Sequence, residues 1–318
     1  MNSRSSRGSR TCSTAPTRQP SDSLRWDAAQ SSECALLQAT DVRFAYDRQP
    51  VLHEVSFDLV AGGVLGILGP NGSGKTTLLR LLGGLLRPQS GRIALDGSDL
   101  REIPHATLAQ RMAIVPQETQ LAFDYSVLEI ALMGRYPHLR AFEVEGPEDI
   151  ALARAALAET GTAELEDRSF MTLSGGEKQR VVIASALSQF GRRAVDAADT
   201  SDGQAEVLLL DEPTASLDLG YQLDVTATLR RLNTERSTSM VISTHDLNFA
   251  AALCDRVVLL RQGRVLAAGP IGDVLRPDTV RALYDVDAAV ERHEAAGHLT
   301  VVPLTRRGDA APGGRAGR

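Results

Sequence analysis

Short apolar runs and helix-like stretches alternate along most of this 318-residue chain. Apolar runs without polar alternation are typical of strands that are buried on both faces, and the stretches between them repeat apolar positions every three or four residues. The predicted strands are residues 64–68, 112–115, 207–210, 239–243 and 257–260, and the predicted helices are residues 76–83, 148–159, 176–189 and 221–234. This alternation predicts an α/β fold with a largely parallel sheet covered by helices. Residues 37–46 and 51–60 alternate apolar with polar positions instead, which predicts a small antiparallel sheet beside the main one.

Three segments are too polar to belong to this framework. Residues 1–36 are rich in Ser, Arg, Thr and Gln, and they hold too little apolar surface to offset the entropy of ordering, so we predict a disordered tail. Residues 190–206 combine small, polar and acidic side chains, which predicts a solvated surface loop. Residues 291–318 form a predicted C-terminal extension, with a loose tail from about residue 305.

Composition and charge exclude several classes of protein. The formal net charge of −6 disfavours a nucleic-acid-binding protein, because phosphate backbones are held by an excess of lysine and arginine. The three cysteines are far apart in the sequence, which predicts a reducing compartment without a disulfide framework. No stretch reaches the ~18 consecutive apolar residues of a membrane span. Residues 1–30 also lack the apolar core of a signal peptide, so we expect any membrane role to come through a partner.

One glycine-rich segment has the pattern of a phosphate-binding loop. Residues 69–76, GPNGSGKT, fit G-x-x-x-x-G-K-[ST] directly after a predicted strand and directly before a predicted helix. The glycines allow backbone N–H groups to surround phosphate oxygens, and the start of the helix adds partial positive charge. Lys75 would reach the β- and γ-phosphates of a nucleotide, and the Thr76 hydroxyl would hold Mg²⁺. The predicted phosphate-binding residues are Gly69, Asn71, Gly72, Ser73, Gly74, Lys75, Thr76 and Thr77.

Two acidic residues follow a predicted buried strand, in the arrangement that a nucleotide site needs beside its phosphate loop. Residues 207–212 read VLLLDE, so the apolar run ends in Asp211 and Glu212. We predict that Asp211 holds Mg²⁺, through water, and that Glu212 polarises the attacking water as a general base. The alternative for this pair is an ordinary solvated strand end, which the neighbouring phosphate loop disfavours.

A further glycine motif resembles the signature of a known family. Residues 173–180, LSGGEKQR, open a predicted helix upstream of the acidic pair, and they resemble the signature motif of the ATP-binding cassette ATPases. The likeness extends over residues 37–269. It implies a phosphate-loop NTPase core with a parallel sheet, an N-terminal antiparallel β subdomain and an inserted α-helical subdomain. The implied cassette domain covers residues 37–290, with the helical subdomain at about residues 118–180.

The signature also predicts how two molecules assemble. Ser174 and the amides of Gly175 and Gly176 stand at a helix start and form a second anion site, yet the chain has a single phosphate loop to fill it. In the family this site closes over the γ-phosphate that is held by the other subunit. The resemblance therefore implies a homodimer with two-fold symmetry that encloses two ATP molecules.

Four single residues receive roles from the resemblance. Gln117 resembles the glutamine that ligates Mg²⁺ or its water, and Asp218 lies in a segment like the loop that crosses the dimer interface. His245 resembles the histidine that contacts the γ-phosphate and orients Glu212. Tyr46 resembles the aromatic residue that stacks on adenine, although a core role is expected either for it or for Phe44. Taken alone, Gln117 would be an ordinary polar residue after a strand, Asp218 would be part of a turn, and His245 would be a structural histidine.

Shorter segments are similar to one branch of the family, the ATPases of iron-siderophore, haem and vitamin B12 uptake systems. These segments are residues 125–130, 133–138, 217–222 and 283–286. The likeness implies an ATP-hydrolysing subunit at the cytoplasmic face of the cell membrane. Its expected partners are integral membrane permease subunits and, indirectly, a substrate-binding protein. Tyr136 and His138 would then face the permease, or they would serve plain packing or simply be exposed to solvent. A cassette ATPase without a membrane partner, an importer ATPase for another solute and a binding module that no longer hydrolyses ATP remain as alternatives.

Overall fold

A computed structural model describes residues 35–119, 121–191 and 205–306 of the chain. Within these ranges the strands are β1 (Ala35–Tyr46), β2 (Gln49–Val60), β3 (Val64–Leu68), β4 (Ser90–Leu95), β5 (Ser98–Asp99), β6 (Met112–Val115), β7 (Val207–Asp211), β8 (Ser239–Thr244), β9 (Arg256–Arg261), β10 (Arg264–Pro270), β11 (Val286–Arg292) and β12 (Leu299–Arg306). The α helices of the same ranges are α1 (Lys75–Leu82), α2 (His105–Arg111), α3 (Val127–Met133), α4 (Pro147–Glu159), α5 (Gly175–Ser188), α6 (Leu219–Arg236), α7 (Leu247–Leu253), α8 (Ile271–Val274) and α9 (Pro277–Tyr284). None of these helices is long and apolar enough to cross a membrane.

A six-stranded sheet in the described part of the chain has the order β10-β9-β3-β8-β7-β6. Strands β9, β3, β8, β7 and β6 run parallel, and β10 joins the edge antiparallel to β9. Parallel neighbours need a long crossover. The helices α3, α4 and α5 lie between β6 and β7, and α6 lies between β7 and β8. The predicted α/β fold class with a largely parallel sheet is confirmed.

The central strands are buried on both faces, which explains their unbroken apolar runs. In β7, Leu208 and Leu210 pack into a core with the helices α5 and α6. Val207 and Leu209 point into a second core that includes Leu78 of α1. Because successive side chains of a strand point to opposite faces, a strand between two cores needs apolar residues at every position.

The N-terminal sheet is antiparallel and has the strand order β2-β1-β4-β5 in the described residues. Leu37 of β1 pairs with Leu59 of β2, and both are buried in the core that includes α1. The prediction that the N-terminal tail reaches residue 36 is wrong at its end, because Ala35 opens β1 and Leu36 is buried. The remaining tail, residues 1–34, lies outside the described residues.

The helical subdomain consists of α3, α4 and α5, and their apolar faces belong to the same core as Leu208 and Leu210 of β7. The helix α5 runs unbroken to Ser188, so this unit extends past the predicted boundary at about residue 180. Phe190 is buried in the same core, and the prediction of a solvated loop is wrong at this residue. Burial of its ring removes apolar area from water, which stabilises this position. Residues 192–204 of the predicted loop lie outside the described residues.

The C-terminal segment forms an antiparallel hairpin of β11 and β12. Thr305 pairs with Asp287, and Val301 is buried in a third core together with Val280 of α9. The predicted loose tail from about residue 305 is therefore wrong for Thr305 and Arg306, and the strand β11 crosses the predicted domain boundary at residue 290. Residues 307–318 lie outside the described residues.

Candidate functional site

The loop between β3 and α1 has a backbone that glycine makes possible. Gly72 and Gly74 have positive φ angles of 76° and 103°, a region that glycine enters without the steric cost of a Cβ. A Cβ on Gly69 would lie 2.2 Å from the carbonyl oxygen of Leu260, so this position has no room for a side chain. The helix α1 begins directly after Gly74, and its N-terminal amides therefore face the loop.

A cavity of about 370 Å³ lies against this loop. Residues from four separate parts of the chain line it: Val51, Asn71, Gly72, Gly74, Lys75, Thr76, Thr77, Gln117 and Glu212. Of the remaining predicted loop residues, Ser73 is buried, and its hydroxyl has no hydrogen-bond partner among the described residues. A buried hydroxyl normally has a partner, so this atom fits an oxygen ligand that the protein itself does not supply.

Lys75 is a buried lysine whose ammonium group is bound by three acceptors. Its Nζ donates to the carbonyl oxygens of Gly69 at 2.9 Å and Pro70 at 3.2 Å. The same Nζ lies 3.2 Å from Oε1 of Glu212, and both side chains are about nine-tenths or more buried. A buried charge requires a compensating partner, and here the partner is a carboxylate from the end of β7.

The two acidic residues at the end of β7 are both held by Ser243 of the neighbouring strand β8. The hydroxyl of Ser243 donates to Oδ1 of Asp211, and its carbonyl oxygen accepts from the N–H of Glu212 at 3.0 Å. Glu212 has a positive φ of 47°, so the chain turns sharply where the strand ends. Sequence reasoning missed Ser243, although a hydroxyl residue inside a buried strand was a usable signal.

His245 completes a line of three contacting charged or polar groups. Its Nδ1 lies 2.9 Å from Oε2 of Glu212, while Lys75 contacts the other oxygen of that carboxylate. The imidazole is about half exposed, at 53%. One carboxylate thus connects the phosphate loop to the residue that follows β8, and these three residues are the centre of the site.

The signature residues Ser174, Gly175 and Gly176 lie at the start of α5. The Ser174 hydroxyl accepts from the N–H of Glu177 at 3.3 Å and donates to its carboxylate at 2.8 Å, which forms a capping box. Hydrogen bonds from the backbone N–H and hydroxyl of Ser174 hold the pKa of Glu177 below its usual value. In the described part of the chain, these signature residues are not among those that line the phosphate cavity.

The signature helix and the segment with Asp218 are packed together. Asp218 caps α6 by accepting from the N–H of Tyr221 at 3.3 Å. A Cβ on Gly176 would lie 2.3 Å from the Tyr221 ring, so the starts of α5 and α6 are in close contact. The signature residues and Asp218, both predicted to lie at the dimer interface, are therefore neighbours in the structure. None of them is among the described residues that line the phosphate cavity.

The aromatic pair on β1 divides into one core and one exposed residue. Phe44 is buried, whereas Tyr46 is 42% exposed. Their ring centroids are 4.9 Å apart in an edge-to-face arrangement. The expected core role therefore belongs to Phe44. Tyr46 is not among the described residues that line the phosphate cavity, and Val51 of β2 is an apolar member of that lining that sequence reasoning missed.

Comparisons with known proteins agree with this geometry. The family model described as ABC transporter matches residues 52–215. Hemin import ATP-binding protein HmuV of Gloeobacter violaceus is 38% identical over 278 residues, which cover 87% of this chain and 98% of that protein. Cobalamin import ATP-binding protein BtuD of Halobacterium salinarum is 40% identical over 271 residues, or 85% of this chain, and the match spans 64% of that longer protein.

A solved structure has the same fold over nearly its whole length. It is described as a metal-chelate type ABC transporter in an inward-facing conformation, and it superposes with a TM-score of 0.72 and 30% sequence identity. The superposition covers 86% of this chain and 98% of that chain. The family resemblance of the motifs is thereby confirmed. By its family model, its relatives and its fold, this chain belongs to the ABC transporter family.

Proposed function

We propose that this protein binds and hydrolyses ATP and thereby drives an importer whose permease is a separate membrane protein. The observation that carries the ATPase activity is the contact line from Lys75 through Glu212 to His245 at the edge of the phosphate cavity. These are the residue types that triphosphate binding and activation of water require. All three belong to elements that the parallel sheet brings to the same edge.

The first step is nucleotide binding by the loop. The backbone amides after Gly69 and the start of α1 offer donors to the phosphates, and Lys75 offers a positive charge. Because Lys75 contacts Glu212 in this structure, a triphosphate would compete with that carboxylate for the ammonium group. Binding therefore releases Glu212 from its ion pair. We propose that adenine stacks on the exposed ring of Tyr46.

The second step is hydrolysis, with Glu212 as the general base. A carboxylate without its lysine partner can accept a proton from water, and His245 restrains the same carboxylate through Oε2. Positioning of this kind lowers the entropic part of the barrier, because the water and the γ-phosphorus are already aligned when the reaction begins. Lys75 offsets the charge that develops on the phosphoryl oxygens.

Three residues near the phosphate loop fit Mg²⁺. Thr76 and Gln117 line the cavity, and Asp211 is buried at the end of β7, so all three offer oxygen ligands of the type that Mg²⁺ prefers. No group of three or more His, Cys, Asp or Glu side chains within the described ranges could hold a metal by itself. When bound with ATP, Mg²⁺ would neutralise charge on the β- and γ-phosphates.

The signature residues suit the nucleotide of a second copy. Ser174, Gly175 and Gly176 stand at the N-terminal end of a 14-residue helix, where the helix dipole favours an anion. They do not belong to the described lining of the chain's own phosphate cavity, so a second molecule has to supply the phosphate. We propose a two-fold homodimer in which Asp218 lies at the interface and each α5 faces the γ-phosphate of the partner.

The relatives' names supply the proposed transport role. Two relatives are named for the import of hemin and of cobalamin. The proposed partners are integral membrane permease subunits and, indirectly, a substrate-binding protein, and the proposed location is the cytoplasmic face of the cell membrane. Tyr136, which is 57% exposed on the helical subdomain, is available to such a permease. His138 is half-buried and bonds to the Gln189 carbonyl oxygen at 2.7 Å, which favours packing.

The substitution Glu212→Gln tests the ATPase activity. It keeps the size of the side chain, but it removes the proton acceptor and the negative charge that faces Lys75 and His245. We expect turnover to fall by a factor of about 10² or more, with ATP binding retained and a closed dimer trapped in gel filtration. Parental phosphate release by this variant would refute the assignment. Glu159→Gln is the matched control, because Glu159 forms an exposed ion pair with Arg236.

Uptake by a deletion strain tests the transport role. A strain without this protein should lose growth on hemin as the iron source or lose cobalamin uptake. The parental gene should restore that ability, whereas the Glu212→Gln gene should not. Unchanged uptake of both solutes would reject this solute class, and failure to copurify with an integral membrane protein would favour an ATPase without a membrane partner.

A further inference from the structure

The hydroxyl of Tyr284 reaches the backbone next to the proposed reaction centre. Tyr284 is the last residue of α9, and its Oη donates to the carbonyl oxygen of His245 at 3.1 Å. The two residues belong to different elements, since His245 follows β8 whereas α9 belongs to the C-terminal region. This hydrogen bond links the C-terminal region directly to the residue that contacts Glu212.

His245 needs such a link because packing alone does not hold it. Its imidazole is about half exposed, whereas the carboxylate that it contacts is buried. A side chain with free space around it keeps its position only if its backbone is fixed. The carbonyl group of His245 is the point at which Tyr284 restrains that backbone.

Tyr284 is itself held firmly by its surroundings. Its ring packs against the large core beneath the central sheet and against the third core, which joins α7, α9 and the hairpin. Asp285, the residue after it, ends α9 with a positive φ of 58° and forms an ion pair with Arg261 at 2.6 Å. The ring therefore has little freedom to move away from His245.

The C-terminal hairpin of β11 and β12 is also hydrogen-bonded to α7, the helix that follows His245. The side chain of Asn248 in α7 accepts from the N–H of Val301 at 2.7 Å and donates to its carbonyl oxygen at 3.2 Å.

Burial, together with the negative charges of Glu212 and Asp246, raises the pKa of the Tyr284 phenol above its ordinary value. The hydroxyl thus stays protonated and remains a donor at neutral pH.

We infer that Tyr284 is a positioning residue for ATP hydrolysis: its hydroxyl fixes the backbone of His245 so that the imidazole keeps Glu212 in its reactive orientation. The inference rests on the function proposed above for His245 and Glu212. It also gives the hairpin of β11 and β12 a role in turnover, because the hairpin and α9 share the core that supports the Tyr284 ring.

The substitution Tyr284→Phe in the full chain tests this inference. It keeps the ring and removes the hydroxyl, so we expect kcat for ATP to fall about fivefold, while the KM for ATP and the melting temperature stay at the parental values. Arg281→Gln is the control, because Arg281 pairs with Asp287 at an exposed position of the same region. The control should keep the parental kcat. A parental kcat in Tyr284→Phe, or equal losses in both variants, would overturn the inference.

A second comparison separates this inference from the proposed function. In the His245→Ala background, single-turnover cleavage of γ-labelled ATP should show no further loss on adding Tyr284→Phe, because the restrained imidazole is already absent. The same fivefold loss in both backgrounds would overturn the inference. If the single variant His245→Ala turns over ATP at the parental rate, the proposed role of His245 is rejected. If His245→Ala loses turnover but Tyr284→Phe does not, only the present inference is rejected.

Discussion

A buried ion pair in the helical subdomain offers a quantitative test of how the unit is held together. Arg135 follows α3 and is fully buried, and its Nε lies 3.0 Å from Oδ1 of Asp149 in α4. Its Nη1 donates to the backbone carbonyl oxygens of Ser188 and Gly191, at and beyond the end of α5. One guanidinium group therefore joins the ends of three chain segments.

Asp149→Asn removes the charge and keeps the shape. The other carboxylate oxygen, which accepts from the N–H of Gly146 at 3.0 Å, can be replaced by the amide oxygen, so the cap of α4 is retained. The guanidinium of Arg135 is left buried without its opposite charge. Breaking a buried pair in this way typically costs about 3–5 kcal/mol, so we expect the free energy of unfolding to fall by that amount.

The assay is urea unfolding at pH 7, followed by circular dichroism, with Glu166→Gln as the matched control. Glu166 contacts Arg154 at 2.8 Å, a similar distance, but the arginine side chain is 55% exposed. An exposed pair of this kind contributes less than about 1 kcal/mol. The difference between the two variants measures the effect of burial. Equal losses below about 1 kcal/mol in both variants would refute the reasoning.

Two further predictions concern the phosphate loop and the signature helix. Gly69→Ala should weaken ATP binding at least about tenfold in calorimetry, because its Cβ would meet the Leu260 carbonyl oxygen at 2.2 Å. Gly272→Ala is the control and should bind ATP normally, because a Cβ there meets open space. Equal affinities of the two variants would contradict the steric argument. The pKa of Glu177 is lowered in the folded protein, so its ionised carboxylate stabilises the fold at pH 7. This contribution to the free energy of unfolding should be lost as the pH falls from about 4.3, the ordinary pKa of Glu, through the lowered value. A difference in urea stability between parent and Glu177→Gln that persists at low pH would contradict this prediction.

The sequence was sufficient for the features that depend on near neighbours. The strand that becomes β7 was predicted from its unbroken apolar run, because a strand between two cores shows that pattern in any context. The conformation of residues 69–76 was predicted from glycine spacing, since the positive φ angles of Gly72 and Gly74 are local properties. The family followed from motifs of the same short range.

Weak or mixed patterns misled the sequence interpretation. Phe190 stands before a polar stretch, yet the core of the helical subdomain buries it. Each of the strands β11 and β12 buries a single residue, and apolar and polar positions do not alternate regularly along them, so their sequences showed no clear strand pattern. What holds the hairpin is its contact with α7 and α9, a feature of packing that no local period records.

Contacts across the sheet were decided by the tertiary structure alone. The sequence alone showed that Lys75, Glu212 and His245 each come after an apolar strand, and it specified which chemical group each of them carries. The strand order β3-β8-β7 places Lys75 and His245 within 3.2 Å of the two carboxylate oxygens of Glu212. It also makes Ser243 a hydrogen-bond partner of both acidic residues. The hydrogen bond from Tyr284 to His245 arises in the same way. The physical reason is that short-range patterns specify which surfaces a segment must bury, whereas the neighbours of each side chain depend on how distant segments satisfy that requirement together.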